Sequence, residues 1–165
     1  MFKTVLVAIG ANLASADGRT PLETCQWAAG QLATLSGLHL RRVSRWFETR
    51  PVPVSDQPSF INGVALLSGT ADHYELLQSL QAIEATSGRV RSVPNAARTL
   101  DLDLLAMDAL VLATPDLILP HPRLHERAFV LAPLIDVLPG WRHPTLGVTA
   151  EQLLARVPDQ HVKPL

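Results

Sequence analysis

The chain has 165 residues, of which 47% are hydrophobic and 18% are charged, as in an ordinary protein with one sizeable core, so a single domain over residues 1–165 is expected. Its formal net charge of −1 provides no excess of positive charge for a nucleic-acid surface, and no apolar run approaches the roughly 20 residues that cross a membrane, so neither partner is expected. The single cysteine, Cys25, excludes an intramolecular disulfide, which favours a reducing, cytoplasmic setting.

Apolar spacing and turn residues predict the elements of the first part of the chain. Thr20 followed by Pro21 is typical of a helix N-terminus, because threonine caps the first turn and proline is tolerated at the first helical position. The predicted elements are a strand over residues 4–9, a helix over 21–36, a strand over 38–47, a proline-rich loop over 48–59 and a strand over 60–67.

The second part of the chain begins with a helix that Asp72 caps. The predicted elements are this helix over residues 73–87, a loop over 89–97, an acidic strand over 99–107 with residues 109–112 as its hairpin partner, an extended edge segment over 117–122, helical spacing over 123–138 interrupted by Pro133, and a short helix over 150–156. The order β-α-β-β-α-β predicts an α+β, ferredoxin-like sandwich, in which an antiparallel sheet carries helices on one face and C-terminal helical additions follow.

The acidic strand reads TLDLDLLAM and is the most informative feature of the sequence. Because side chains alternate along a strand, Asp101 and Asp103 share one face roughly 6–7 Å apart, while Leu100, Leu102 and Leu104 share the other. Oxygen ligands at this spacing suit Mg²⁺, which takes one or two carboxylates and completes its coordination with water and phosphates. A strand with one solvated face is the alternative that the acidic pair alone leaves open.

Cationic side chains flank the acidic strand in the sequence. Carboxylates beside many such donors are what a metal–polyphosphate site requires, because arginines neutralise charge that moves during phosphoryl transfer. Taken singly, each of these residues also fits a solvated loop or a capping position. The flanking residues are Arg89, Arg91 and Arg98 before the strand, and His121, Arg123, His125 and Arg127 after it. The sequence contains no P-loop, kinase glycine-rich loop or dinucleotide-binding turn, so nucleotide would be held without those motifs.

A second group of interest combines aromatic rings with an amide. Phe60 and Asn62 are two residues apart on a predicted strand and therefore share a face. An aromatic ring beside an amide can stack on a flat heterocycle and hydrogen-bond to it, and Phe129 is a candidate for the second ring face. Burial of both phenylalanines in the hydrophobic core is the alternative interpretation.

Several longer motifs, in this order and spacing, make the chain similar to a known family. They are AIGANL over residues 8–13, DQPSFIN over 56–62, E-x-x-x-G-R-V-R over 84–91, RTLDLDLL over 98–105 and PHPRLHERAFVLAPL over 120–134. Together they resemble the 6-hydroxymethyl-7,8-dihydropterin pyrophosphokinase family of folate biosynthesis over nearly the whole chain. Members transfer the β,γ-diphosphate of ATP to the hydroxymethyl group of the pterin and release AMP, so the resemblance implies an ATP-dependent diphosphokinase.

The resemblance also implies roles for particular residues of this sequence. Asp101 and Asp103 would hold two Mg²⁺ ions that bridge the phosphates of ATP, and with Arg89, Arg91 and Arg98 they would form the catalytic set. The residues that match the family's ATP site are Gln81, Glu84, Arg89, Arg91, Arg98, His121 and Arg127. Those that match its pterin site are Thr49, Val52, Phe60, Asn62, Asp101 and Phe129. No covalent enzyme intermediate is implied, because the pterin hydroxyl attacks the β-phosphorus of ATP in line.

One segment of the chain departs from the family. Many members carry R-W-G-P-R before the acidic strand, with the tryptophan on a loop that closes over ATP, whereas residues 93–97 of this chain include no aromatic side chain. This departure leaves open a catalytically silent paralogue that binds pterin or nucleotide, and a different two-metal transferase on the same fold. The resemblance otherwise implies a monomer whose partners are its two small substrates, ATP and 6-hydroxymethyl-7,8-dihydropterin.

Overall fold

The computed structural model of the chain describes residues 2–15, 17–50, 58–88 and 99–165. The elements of the first part are β1 (Lys3–Ala11), α1 (Pro21–Leu32), β2 (Leu38–Val43), β3 (Phe47–Thr49), β4 (Phe60–Gly69) and α2 (His73–Thr86). Those of the second part are the acidic strand β5 (Asp101–Met107), the short strands β6 (Leu112–Ala113) and β7 (Ile118–Leu119), a 3₁₀ turn (Leu124–Glu126), α3 (Ala128–Val137), α4 (Ala150–Ala155) and the short strand β8 (Lys163–Pro164).

The two helices of the first part begin where their capping residues predict. The Thr20 hydroxyl accepts from the backbone N–H of Glu23, and the Glu23 carboxylate accepts from the backbone N–H of Thr20, which completes a capping box. The Asp72 carboxylate caps α2 by accepting from two backbone N–H groups of its first turn. α1 ends at Leu32, before the predicted end at residue 36, and Gly37 takes a φ of 78° at the turn into β2. Within the described ranges, no helix has the length and apolar character that crossing a membrane requires.

The main sheet is antiparallel, and β1 lies in its interior. β1 pairs with β4 on one side and with β5 on the other, and the strand order is β5-β1-β4-β3-β8. β2 and β3 both pair with β4, one after the other along its length. β6 and β7 form a separate two-stranded ribbon. This topology places β5, the strand with the two acids, at the edge of the main sheet.

The sheet separates two hydrophobic layers. α1 and α2 cover one face, where Val5 and Val7 of β1 pack with leucines of β5. α3 and α4 cover the other face, where Leu6 of β1 packs with Val64 of β4. Because successive side chains point to opposite faces, β1 is buried on both, which explains its continuous apolar sequence.

The predicted α+β, ferredoxin-like fold with C-terminal helical additions is confirmed, with corrections to its elements. The helices do not all lie on one face, because α3 and α4 cover the face opposite α1 and α2. The strand predicted over residues 38–47 is divided into β2 and β3, since the Ser44 hydroxyl between them accepts from the backbone N–H of Val64. The prediction that residues 109–112 pair with the acidic strand was wrong. β5 ends at a turn in which Asp108 has a φ of 48°, and β6 pairs with β7 instead.

α3 is held at both of its ends. The helical spacing predicted over residues 123–138 is divided, because the 3₁₀ turn comes first and α3 begins only at Ala128. The Gln160 side chain accepts from the backbone N–H of Ala128 and donates to a carbonyl of the 3₁₀ turn, so the C-terminal tail caps the helix. Near the other end, Asp136 forms a bidentate ion pair with Arg45, with both N···O distances at 3.0 Å. These contacts fix α3 over the sheet face that also carries the acids.

Replacing Leu102 by alanine tests the packing of β5. Leu102 is 2% exposed, and we expect Leu102→Ala to lower the free energy of unfolding by about 2 to 5 kcal/mol, because a buried side chain is lost and a cavity remains. Urea denaturation followed by circular dichroism measures the change. The control is Val111→Ala at a side chain that is 61% exposed, where a change within about 0.5 kcal/mol is expected. Equal losses in the two variants would contradict this packing.

Candidate active site

Asp101 and Asp103 lie on the face of β5 that the alternation predicts, opposite the leucines. In the register with β1, Asp101 lies opposite Gly10 and Asp103 lies opposite Ala8. Both aspartates are half-buried, whereas Leu102 between them is buried in the layer under α1 and α2. The two carboxylates therefore lie on the sheet face that carries α3.

The outer edge of β5 is bonded to two residues that the resemblance assigns to the ATP site. Glu84, near the end of α2, is 1% exposed, and its Oε2 accepts a hydrogen bond of 2.8 Å from the backbone N–H of Leu102. Farther along the strand, the backbone N–H of His121 donates to the carbonyl oxygen of Leu105 at 2.8 Å. These bonds satisfy backbone groups that an edge strand would otherwise expose. They also hold Glu84 and His121 beside the acidic pair.

The imidazole of His121 lies in an environment that favours its neutral form. Burial, together with the guanidinium groups of Arg127 and Arg123, lowers the pKa of His121 to about 4, and the Asp101 carboxylate acts in the opposite direction. The Nδ1 atom accepts from the backbone N–H of Arg123 at 3.2 Å, which leaves the proton of the neutral ring on Nε2. His121 therefore offers an uncharged N–H donor at a point where the charges of Arg127 and Asp101 both act.

Arg127 and Phe129 lie at the N-terminal end of α3. Arg127 immediately precedes the helix, and its guanidinium carbon lies 5.4 Å from the centroid of the Phe129 ring, which is within cation–π distance. Both side chains are half-buried. Because the charge of Arg127 also acts on His121, this contact joins the residues assigned to ATP to a ring assigned to pterin.

Phe60, Asn62 and Thr49 are neighbours on the two strands that follow β1 in the sheet. Phe60 and Asn62 share a face of β4, and Thr49 of β3 lies opposite Phe60. The Nδ2 atom of Asn62 donates to Oγ1 of Thr49 at 3.0 Å, and both side chains are buried. Asn62 lies opposite Gly10, which lies opposite Asp101, so the amide and the acidic pair belong to the same sheet face.

The structure places some predicted site residues and leaves others outside its described ranges. Gln81 lies on α2 with an exposed side chain. The predicted residues that the structure brings to one face and the outer edge of β5 are Asp101, Asp103, Glu84, His121, Arg127, Phe129, Asn62, Thr49 and Phe60. The predictions for Val52, Arg89, Arg91, Arg98 and residues 93–97 lie outside the described residues.

Two residues of the AIGANL motif belong to the site although the sequence reasoning assigned them no role. Asn12 is 1% exposed, and its Nδ2 donates to the carbonyl of Pro58 at 3.2 Å, so the end of β1 holds the segment that leads into Phe60. Gly10 lies between Asp101 and Asn62 in the strand register. The motif itself is the sequence signal that could have identified them, because it places a small residue and an amide at the end of a buried strand.

The donor set on β5 fits one kind of metal chemistry. Among the residues that the structure describes, no group of three or more His, Cys, Asp and Glu side chains is arranged to hold a metal ion. Asp101 and Asp103 offer half-buried carboxylates on a common face, which suits Mg²⁺, a cation that keeps several waters and uses substrate phosphates as ligands. The arrangement therefore fits a magnesium–phosphate complex better than a metal held by protein side chains alone.

The chain resembles known proteins in sequence over nearly all of its length. Residues 6–139 match the family model of 7,8-dihydro-6-hydroxymethylpterin-pyrophosphokinase (HPPK). The chain is 40% identical over 165 residues to the 2-amino-4-hydroxy-6-hydroxymethyldihydropteridine pyrophosphokinase of Pseudomonas aeruginosa, which covers 100% of this chain and 98% of that protein. It is 37% identical over 152 residues to the protein of the same name from Synechocystis sp., which covers 92% of this chain and 75% of that protein.

The fold also resembles that of solved structures. The wild-type HPPK-DHPS of Plasmodium falciparum matches with a TM-score of 0.70 and 12% sequence identity. The match covers 94% of this chain and 45% of that chain, so this chain spans less than half of the longer protein. At so low an identity the likeness concerns the fold alone.

Changing Glu84 tests its bond to the acidic strand. In Glu84→Ala the N–H of Leu102 loses its acceptor inside the protein, so we expect the free energy of unfolding to fall by about 1 to 3 kcal/mol and the Leu102 amide to exchange its hydrogen faster. The matched control, Glu84→Gln, keeps an acceptor oxygen and should keep most of the protection. Amide hydrogen exchange followed by NMR measures both variants. Unchanged exchange at Leu102 in Glu84→Ala would contradict the bond.

The protonation of His121 predicts how stability depends on pH. Since the pKa of His121 is about 4 in the folded protein and 6.5 without these surroundings, the unfolded chain takes up the proton first as the pH falls. This group therefore lowers the free energy of unfolding progressively between pH 6.5 and about pH 4, and no further below that range. NMR titration of the ring measures the pKa directly. Arg127→Gln should raise the pKa and Asp101→Asn should lower it, and shifts in the opposite directions would contradict the environment described.

Proposed function

The chain belongs to the 7,8-dihydro-6-hydroxymethylpterin-pyrophosphokinase family, and from that premise we propose how its residues carry out the reaction. The chain is an ATP-dependent pyrophosphokinase of folate synthesis, which transfers a diphosphate group to 6-hydroxymethyl-7,8-dihydropterin. The observation that supports the assignment of residues is the position of Asp101 and Asp103 on an edge strand, beside His121 and on the same sheet face as Asn62.

The balance of the reaction shows what the protein must supply. The oxygen of the pterin hydroxymethyl group forms a bond to the β-phosphorus of ATP, and the bond from that phosphorus to the oxygen bridging toward the α-phosphate breaks. AMP leaves with the bridging oxygen, and the hydroxyl proton is released. No enzyme nucleophile is required, so catalysis consists of aligning the two substrates and neutralising the charge that moves.

Asp101 and Asp103 are the residues that we propose to hold two Mg²⁺ ions. When bound, Mg²⁺ supplies neutralisation of the phosphate charge and orientation of the phosphate oxygens. The carboxylates are kept on the site face by the burial of Leu102 and Leu104 on the opposite face, which prevents β5 from rotating about its axis. The acids are therefore ready on one face before substrate is present.

The phosphate side of the proposed site combines a neutral donor with permanent cations. His121 offers its Nε2–H to a phosphate oxygen, and Arg127 adds a charge that can bond two oxygens at once. The resemblance supports Arg89, Arg91 and Arg98 as further phosphate contacts and Gln81 as a nucleotide contact. Glu84 is buried, and we propose that it supports the nucleotide side through its bond to β5.

The pterin side of the proposed site consists of rings and neutral polar groups. Phe60 and Phe129 are half-buried, on β4 and at the start of α3, and they are proposed to enclose the heterocycle. Asn62, held by Thr49, is proposed to bond the polar edge of the ring. The resemblance supports Val52 and Asp101 as further pterin contacts. Neutral amides suit this task, because desolvating them costs less free energy than desolvating a charge.

The proposal includes a single domain that acts as a monomer in the cytoplasm. The sheet supports the first point, because β1 contributes to the hydrophobic layers on both of its faces. The single cysteine supports the cytoplasmic location, because the chain can form no internal disulfide. Cys25 is buried, and burial raises the pKa of its thiol to about 12, so it stays protonated and is protected from disulfide exchange.

An assay of products tests the proposed function. The purified chain with ATP, Mg²⁺ and 6-hydroxymethyl-7,8-dihydropterin should form AMP and a pterin diphosphate in equal amounts, as chromatography can measure. ADP in place of AMP would indicate the transfer of a single phosphate by a different transferase. Binding of pterin or ATP without any pterin-dependent AMP above background would leave only a binding paralogue. Either result would overturn the proposal.

Neutralising the acidic pair tests the roles of its members. Asp101→Asn and Asp103→Asn should each lower kcat by roughly 10²- to 10³-fold or more, because charge compensation in the transition state is lost. Circular dichroism should remain that of the parent chain, since both side chains are half-buried on the site face. Asp116→Asn, in an exposed turn, is the matched control and should leave kcat unchanged. Near-normal turnover in either site variant would refute its assignment.

A further inference from the structure

Gly10 occupies a place in the sheet where any side chain would meet the amide of Asn62. Gly10 lies opposite Asp101 on one side and opposite Asn62 on the other, so these three residues form one row across three strands. A Cβ atom on Gly10 would lie 2.8 Å from Oδ1 of Asn62, which is closer than real Cβ contacts allow. The amide of Asn62 therefore extends over β1 in space that only glycine leaves open.

Backbone conformation does not account for the glycine. The residues with positive φ in the described part of the chain do not include Gly10, whose extended position in β1 any L-residue can adopt. Glycine within a strand usually weakens it, because it adds backbone entropy to the unfolded chain and has no side chain to pack. Glycine is required at this position because the Asn62 amide occupies the space that a side chain would take.

The amide of Asn62 is oriented from both of its ends. On the β3 side, Nδ2 donates to Oγ1 of Thr49 at 3.0 Å. On the β1 side, Oδ1 lies over Gly10, in the direction of Asp101. Thr49 and Gly10 together therefore allow the amide to lie across β1, with its acceptor oxygen on the side of the acidic strand.

We propose that Gly10 is a positioning residue that keeps the Asn62 amide flat across β1, so that Oδ1 accepts from the N–H donors on the edge of the pterin. This inference rests on the proposed function, because it concerns the same substrate. The ring N–H and amino groups of a pterin are donors, and an acceptor oxygen fixed in one place selects that edge over an edge of bare ring nitrogens. Gly10 acts through Asn62 and does not itself take part in the chemistry.

Gly10→Ala is the variant that tests the proposal. The added methyl group must displace Oδ1 of Asn62, so the hydrogen bond to pterin is lost. We expect the KM for pterin to rise about tenfold, as the loss of one hydrogen bond predicts. The kcat and the KM for ATP should change little. The matched control is Gly30→Ala on the exposed side of α1, where a Cβ atom would meet nothing within 4 Å. It should leave both KM values unchanged. An unchanged KM for pterin in Gly10→Ala would overturn the inference.

A double-mutant cycle separates positioning from a direct effect of the methyl group. In an Asn62→Ala background no amide remains to be displaced, so Gly10→Ala should weaken pterin binding no further, as calorimetry with pterin alone measures. An equal loss in both backgrounds would overturn the proposal, because the methyl group would then act on the pterin or on the strand itself.

Three further results separate failure of the role of Gly10 from failure of the proposed function. If Gly10→Ala does not fold, a structure of the parent chain with pterin decides, since Oδ1 of Asn62 must face a donor of the ring and an inward Nδ2 would refute the proposal. If the parent chain forms no pterin-dependent AMP, the proposed function fails. If the parent is active but Gly10→Ala binds pterin equally well, only the role of Gly10 fails.

Discussion

Burial of the leucines on β5 decides where its acids lie. Leu102 and Leu104 of β5, and Leu100 just before it, are buried in the layer under α1 and α2, and each such side chain contributes about 1.5 to 3 kcal/mol. Asp101 and Asp103, roughly 6.5 Å apart as strand geometry requires, repel each other by about 0.6 kcal/mol in water and about 2.5 kcal/mol at an effective dielectric constant of 20. The leucines outweigh this repulsion. The strand can therefore hold two acids side by side before any cation is bound.

The edge position of β5 gives the acids a second set of neighbours. Among the strands of the described ranges β5 pairs with β1 alone, and its other edge bonds the carboxylate of Glu84 and the backbone N–H of His121. α2 and the segment after β7 therefore reach the acidic pair through the backbone of the strand that carries it. An interior strand would have no backbone groups left for this purpose. Because both residues are bonded to the strand, the proposed nucleotide side and the proposed metal ligands are held in fixed positions relative to each other.

Local features of the fold could be predicted from the sequence, and features that depend on distant segments could not. The caps at Thr20 and Asp72 and the alternation along β5 involve neighbours in the chain, so the residues themselves predict them. The position of Gly10 opposite both Asp101 and Asn62 depends on three strands that are remote in sequence. The same holds for the face that α3 covers and for the pairing of β6 with β7. Family motifs predict which residues form the site, but they do not contain the strand register and therefore do not predict the contacts.

The strand register also separates the two kinds of chemistry that the site requires. The β5 side is charged and half-buried, so its carboxylates remain partly solvated until phosphates arrive. The β4 side is neutral and buried, because an amide can be desolvated at far lower cost than an ion. Asn62 and Asp101 are separated by the single strand β1, which places their backbones about 10 Å apart at two strand spacings. A fused two-ring heterocycle with a one-carbon arm spans a distance of this order, so in the proposed site a ring held at Asn62 would present its hydroxymethyl group to phosphates held at the acids. In the proposed site, the pairing of the strands, rather than any one side-chain contact, would thus set the distance between the two substrates.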